Sequence, residues 1–249
     1  MELGNHPVER QPRQPVLPVL FCALAMTEEK KKSRVACFVD GFNLYHAIDE
    51  LRDARNKPLN HLKWVNLWAL TERLIQQSNE EVVAVYYFSA RATWLPDSVA
   101  RHDLYLQALG SVGVNLCMGN FKKKKRSCKN CGATWDGHEE KESDVSLALA
   151  LLNESWKDSF DKAIVMTADT DIVPVIKMVK SQFPGKTIVS AIPERRFGNA
   201  LELRQNCDSA QRIKQQHIET SLFPEKISIG GGTEVVRPVK YAPPVAPAK

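Results

Sequence analysis

Arg34-Val35-Ala36-Cys37-Phe38-Val39-Asp40-Gly41-Phe42-Asn43-Leu44-Tyr45 is the stretch on which the reading of this chain turns. Arg34 to Val39 is short and apolar without alternation, the pattern of a strand buried on both faces. Asp40-Gly41 ends it, because that dipeptide favours a turn over continued strand. Asn43 to Arg52 then places apolar residues at helical spacing. A buried strand passing directly into a helix, with an acid at the junction, opens an α/β unit.

The alternation continues outward. Leu62 to Gln77 repeats the helical period through Leu62, Val65, Leu67, Leu70 and Leu74. Glu81 to Phe88 reads as a strand, Ser98 to Leu109 as an amphipathic helix stopped by Gly110, and Gly113 to Met118 as a third strand. A polar, basic loop at 119–140 follows. Lys141 to Trp156 is apolar over most of its surface and predicts a buried helix. Lys162 to Thr167, Ile172 to Lys180, Lys186 to Ala191, Phe197 to Arg204 and Ala210 to Ile213 complete the series. The expectation is one α/β domain from Arg34 to Pro224, a central parallel sheet of about five strands flanked by helices. Residues 1–33 read as a disordered extension. Residues 225–249 run through Gly230-Gly231-Gly232 into a Pro/Ala/Val stretch and read as a disordered tail.

Composition sets the class. Of 249 residues 43% are hydrophobic and 25% charged, which excludes a fibrous or wholly disordered chain. The net charge of +5 gains meaning from its clustering, since Lys122, Lys123, Lys124, Lys125 and Arg126 are consecutive. Six scattered cysteines do not make a disulfide scaffold and favour a reducing compartment. Pro15 to Met26 is apolar but too short to span a bilayer, and Glu2, Glu9, Pro15 and Pro18 disfavour a signal peptide. It reads as an upstream extension with a start at Met26, and the protein as cytoplasmic.

Asp40 follows the first strand, and Asp169 and Asp171 follow the fourth, in Thr167-Ala168-Asp169-Thr170-Asp171. Active sites of parallel sheets lie outside the carboxyl ends of the strands. Asp144, in the first turn of the helix after the basic loop, reaches the same edge if it faces inward. Two carboxylates about 4 Å apart repel by roughly 4 kcal/mol at an effective dielectric of about 20. Four together either hold protons or hold a hard cation, and oxygen-only ligation suits Mg²⁺ or Mn²⁺. Each acid alone has a structural reading too, as a helix cap or turn residue.

Val39-Asp40-Gly41-Phe42-Asn43-Leu44-Tyr45 resembles the opening motif of NYN domains, a branch of the PIN-like nuclease superfamily. Glu140-Lys141-Glu142-Ser143-Asp144-Val145 resembles their second motif, and Thr167-Ala168-Asp169-Thr170-Asp171-Ile172 their third. The resemblance covers about Arg34 to Pro224. It implies a Rossmann-like fold, divalent metal and phosphodiester hydrolysis, usually of RNA. It assigns metal coordination to Asp40, Asp144, Asp169 and Asp171, and polar contacts at the site to Asn43. Many relatives carry a further acid on the second-motif helix, where this chain has residues such as Ala148 and Ala150.

The basic loop is the candidate substrate contact, through Lys122, Lys123, Lys124, Lys125 and Arg126, with Arg195 and Arg196 at the same sheet edge. Trp135 either stacks on a base or pins the loop to the core. Cys128-x-x-Cys131-Gly132 is half of a zinc knuckle, for which His138 and Cys117 are the candidate third and fourth ligands; a bare thiol pair is the alternative.

The functional expectation is a Mg²⁺- or Mn²⁺-dependent ribonuclease acting on single-stranded or structured RNA, with structural zinc as a candidate cofactor. It has no membrane partner, and a homodimer is compatible with it. The rival is an RNA-binding or adaptor module that keeps the fold with weak catalysis or none. A metal-dependent phosphatase is disfavoured, because Asp40 is followed by Gly41 and Phe42 rather than by a second acid two residues on.

Overall fold

The computed structural model describes residues 31–244; the extension's first 30 residues, Pro15 to Met26 among them, lie outside these. Nine strands and seven helices alternate among the described residues. β1 (Ser33–Asp40) leads into α1 (Gly41–Asp49), then a 3-10 turn (Asn60–Trp64), α2 (Leu67–Glu72), β2 (Glu80–Ala90) and α3 (Pro96–Ser111). β3 (Asn115–Ser127), β4 (Thr134–Lys141), α4 (Ser143–Trp156), β5 (Lys162–Met166) and α5 (Val173–Gln182) follow. The rest are β6 (Thr187–Pro193), α6 (Leu201–Asn206), β7 (Ser209–Ile213), α7 (Gln215–Glu219), β8 (Lys226–Ser228) and β9 (Glu234–Val236).

The main sheet is mixed α/β in class, seven-stranded and parallel except at one edge, in the order β4-β3-β2-β1-β5-β6-β7. β1 lies at its centre, parallel to β2 and β5. Its unbroken apolar run is explained by burial on both faces. Val35, Cys37 and Val39 enter one core with Leu44, Leu70 and Leu109, while Ala36 and Phe38 enter the other with Leu147, Leu151 and Ile176. Arg34 anchors the strand's start: its backbone N–H donates to Asp161 Oδ2 at 2.8 Å and its guanidinium to Oδ1 at 2.8 Å.

Four expectations need correction. Residues 119–140 are not a loop but most of an antiparallel hairpin, in which β3 and β4 pair from Asn120↔Lys141 to Ser127↔Thr134. Residues 225–244 are not a disordered tail: β8 and β9 pair, Val235 and Tyr241 are buried in the core of Trp64 and Phe223, and Trp64 Nε1 donates to Pro224 O. The helix expected over 62–77 is only α2, because Val65 leaves to bridge Leu222 and Asn66 recaps the chain through Trp68 N and Ala69 N. Last, α4 is not buried all round. Leu147 and Leu151 face the core, but Val145, Leu149 and Trp156 are 61%, 61% and 75% exposed.

Candidate functional site

β1 and β5 are paired neighbours, so Asp40 and the segment Thr167–Asp171 leave the sheet side by side. Asp40 is buried at the N-terminus of α1 and carries two hydrogen bonds. Asn43 N donates to its Oδ1 at 2.9 Å, and Thr167 Oγ1 donates to its Oδ2 at 2.8 Å. Thr167 in turn accepts from Asp169 N at 3.0 Å. Asn43 Oδ1 accepts from Ala168 N at 3.2 Å. Two side chains therefore stitch the first motif to the third. Asn43 is a bridge between backbones, and Thr167 is a positioning residue that composition alone did not single out.

The second motif arrives from the hairpin. Glu142, between β4 and α4, has φ of +83°, a left-handed conformation that costs a non-glycine residue about 1–2 kcal/mol. That turn sets Glu140 on β4 and Asp144 on α4 to either side of the same space. Burial, opposed by the hydrogen bonds from Asn43 and Thr167 and reinforced by the charge of Asp169, raises the Asp40 carboxyl above the usual range. Partial burial, then the charges of Asp40, Asp169 and Asp171, push Asp144 up to about 6. Burial, with Asp40 and Asp144 nearby, raises Glu140 as well. Glu140 Oε1 is buried without a hydrogen-bond partner among the described residues.

Glu140 is the residue that the motif reading quoted but did not use. No signal in the sequence showed it as a same-site acid, because its strand was not legible. Asp171 is exposed, and its N–H donates to Asp169 Oδ1 at 3.0 Å, so Asp169 also serves as a cap. The capping alternative is thus realised at Asp40 and Asp169 alongside the acidic cluster. Among the described residues no three acid, imidazole or thiol groups stand close enough to grip an ion as they are placed. The donor set is nonetheless oxygen-only, short of hydrogen-bond partners at Glu140 and raised in proton affinity at three acids, and this fits a hard divalent cation.

The other expected residues divide. Lys122, Lys123, Lys124, Lys125 and Arg126 are all exposed, but they lie on a strand, so they do not form one patch. Side chains alternate along it, and cross-strand partners share a face. The register therefore puts Lys123 and Lys125 on the face of Phe121, His138 and Glu140, and Lys122, Lys124 and Arg126 on the other. Trp135 is half exposed opposite Arg126, so it does not pin the hairpin to the core. Arg195 is tied to Glu50 O at 2.9 Å and Arg196 to the Glu50 carboxylate, which fastens the turn after β6 to the end of α1.

The four-ligand zinc site is not assembled. Cys117 is 11 residues before Cys128 along one strand, about 30 Å or more away, and His138 pairs with Lys123 well short of the tip. Cys117 packs beside the core instead. What remains is the thiol pair at the tip. There the backbone N–H of Cys131, then that of Asn130, draws the Cys128 thiol below its usual range.

The profile of the NYN domain matches residues 34–214, from β1 through β7. The 6-hydroxy-3-succinoylpyridine 3-monooxygenase HspA of Pseudomonas putida is 28% identical over 184 residues. That match takes in 59% of this chain and 56% of HspA, so the chain spans about half the length of this relative. A protein of unknown function from Vibrio parahaemolyticus, known from a crystal structure, superposes with a TM-score of 0.49 at 19% identity. That superposition covers 76% of this chain and 98% of the other. No helix among the described residues is long and apolar enough to cross a membrane. By the extent of the domain match, which takes in all seven strands of the main sheet, this chain belongs to the NYN domain family, a PIN-like nuclease family.

Proposed function

We propose that this protein is a Mg²⁺- or Mn²⁺-dependent ribonuclease whose acidic site is Asp40, Glu140, Asp144, Asp169 and Asp171. The observation that carries the reading is the convergence of three motifs on one sheet edge, the first joined to the third by Thr167 and Asn43, with raised carboxylate proton affinities. A divalent cation held there supplies positive charge and an activated water for attack on a phosphodiester. Asp40, Glu140, Asp144 and Asp169 would hold it, with Asp171 at the rim. Thr167 and Asn43 orient the acids. Lys123 and Lys125 hold the RNA backbone without reading its sequence.

The direct test is cleavage of a mixed, end-labelled RNA pool with Mn²⁺, Mg²⁺ or EDTA, beside the Asp169→Asn/Asp171→Asn double variant. Metal-dependent cutting by the parent, lost in the double variant, is the expected result. Absence of cutting by the parent, with RNA retained on a filter, would favour a binding module. That second reading draws on Ala148 and Ala150, which stand on α4 where the family resemblance leads one to expect a further acid.

The hairpin register gives a sharper expectation. Replacing Lys123 and Lys125 by Gln should lower the slope of log binding against log salt by about 1.4, two single-strand phosphate contacts at about 0.7 each. The same change at Lys122 and Lys124 should leave it nearly unaltered. Equal effects of the two pairs would remove the face assignment.

The raised acids also fix a pH dependence. A carboxyl whose proton affinity rises on folding adds stability that is complete below the unfolded carboxylate range. That stability is lost as pH climbs through the folded value, about 6 for Asp144. Without divalent cation, the melting temperature of the parent relative to Asp144→Asn should therefore fall between about pH 4 and 7. Mn²⁺ should cancel that fall and release protons as it binds. Thermal melts across this range, with and without Mn²⁺, measure both; a flat difference insensitive to Mn²⁺ would remove Asp144 from the site.

A further inference from the structure

Beside the acids lies a cavity of about 380 Å³ that the acidic chemistry does not use. It is enclosed by the start of α1, the chain between β2 and α3, α3 itself, and the root of the hairpin. Its walls are aromatic. Trp94 stacks flat on His138 with ring centroids 3.6 Å apart and 7° between planes, and Phe121 packs edge-on against Trp94 at 4.7 Å. Phe42 closes on Phe121 at 5.5 Å, and Tyr45 completes this side.

The walls also carry two polar atoms without a partner. Nε2 of His102 and Nε2 of His138 are buried and make no hydrogen bond among the described residues, although both imidazoles line the cavity. A buried polar atom left unsatisfied costs about 1–3 kcal/mol. Burial, with Arg91 nearby, holds His102 below the usual imidazole range, so it meets a ligand as a neutral ring able to donate or accept. A largely apolar cavity with a few convergent polar atoms is the usual build of a small-ligand site. Flat aromatic walls select a flat ligand, and paired imidazole nitrogens select one with polar atoms on its edge.

We propose that this cavity binds one planar heteroaromatic ring, stacked among Phe42, Trp94 and Phe121 and hydrogen-bonded along its edge by Nε2 of His102 and His138. The ring site stands on these contacts alone; its source, an unstacked base of the RNA strand, rests on the ribonuclease reading. Two adjacencies connect cavity and acids. Gly41 lines the cavity and directly follows Asp40, and His138 lies one same-face step along β4 from Glu140, about 7 Å. A base seated there leaves its own phosphodiester over the acids. Base-on-aromatic stacking then holds the strand in place for the reaction.

The test is calorimetry and saturation-transfer NMR on the full chain in EDTA, with adenosine, uridine and 2-hydroxypyridine as probes. His102→Leu removes one edge partner at similar volume, and Ala92→Trp fills the cavity from its rim; circular dichroism shows which variants fold. Nucleoside binding weakened at least about tenfold in either folded variant supports the ring site with a base as its source. Binding of 2-hydroxypyridine alone, with the same loss, supports the site with a free small molecule as its source. No binding of any probe, or unchanged binding in every folded variant, overturns the proposal. Because EDTA excludes cleavage, failure of the ribonuclease reading leaves this result intact, and the reverse holds as well.

Discussion

Asp40→Asn should lower metal-dependent RNA cleavage by about 100-fold or more while melting within a few degrees of the parent. The reason lies in how both carboxylate oxygens are used. Oδ1 accepts from Asn43 N and caps α1, a role that asparagine fills equally well. Oδ2 accepts from Thr167 Oγ1; with an amide there, the threonine hydroxyl turns and accepts instead. The fold also loses a buried charge that burial and Asp169 both disfavour. What the substitution removes is the most deeply buried acid of the cluster. Cleavage at the parent rate would move the active site elsewhere.

Gly41→Ala is the second large effect, and it acts through space rather than charge. A Cβ on residue 41 would stand 2.5 Å from Tyr87 Cε2 and 2.7 Å from Phe88 O. The ring could swing, but the carbonyl belongs to β2, whose Phe88 is in register with Asp40. Overpacking of this kind costs about 1–3 kcal/mol. In a domain of this size that lowers the melting temperature by roughly 2–4 °C per kcal/mol. Cleavage should fall further than stability does, because the strand end that moves carries Asp40, and displacements of about 1 Å can cost 100-fold in rate. Melting curves and cleavage rates measured together separate the two losses; a variant unchanged in both would show that the junction yields freely.

The legible parts of the fold were those where one pattern met one environment. β1, β5 and β6 are mostly apolar because both of their faces are covered, and the ends of β1 and β5 located Asp40 and Asp169. The hairpin was illegible because Lys122 to Arg126 lies on strand with both faces in water, where neither alternation nor apolar run exists. With β4 not legible in the sequence, nothing placed Glu140 at the site beside the other acids. β8 and β9 are only three residues each, and their flanking glycines and prolines suggested a tail; the contact of Val235 and Tyr241 with the core could not be read locally. The four-ligand zinc set came apart for a related reason. Spacing in sequence suggested a cluster, but an extended strand converts 11 residues into a long distance.

The central position of β1 has a consequence for how the chain reaches this state. Its partners are β2, which follows within the next 50 residues, and β5, whose Ile164 pairs with Cys37 across 127 positions. Non-local parallel pairing is slow, because loop closure must be achieved before the contacts reward it. During synthesis the first acid therefore waits at the rim of a half-built sheet until β5 leaves the ribosome. Pairing of β5 is thus the step that brings the third motif to the first, and a chain truncated ahead of Lys162 would carry the first two motifs without the third.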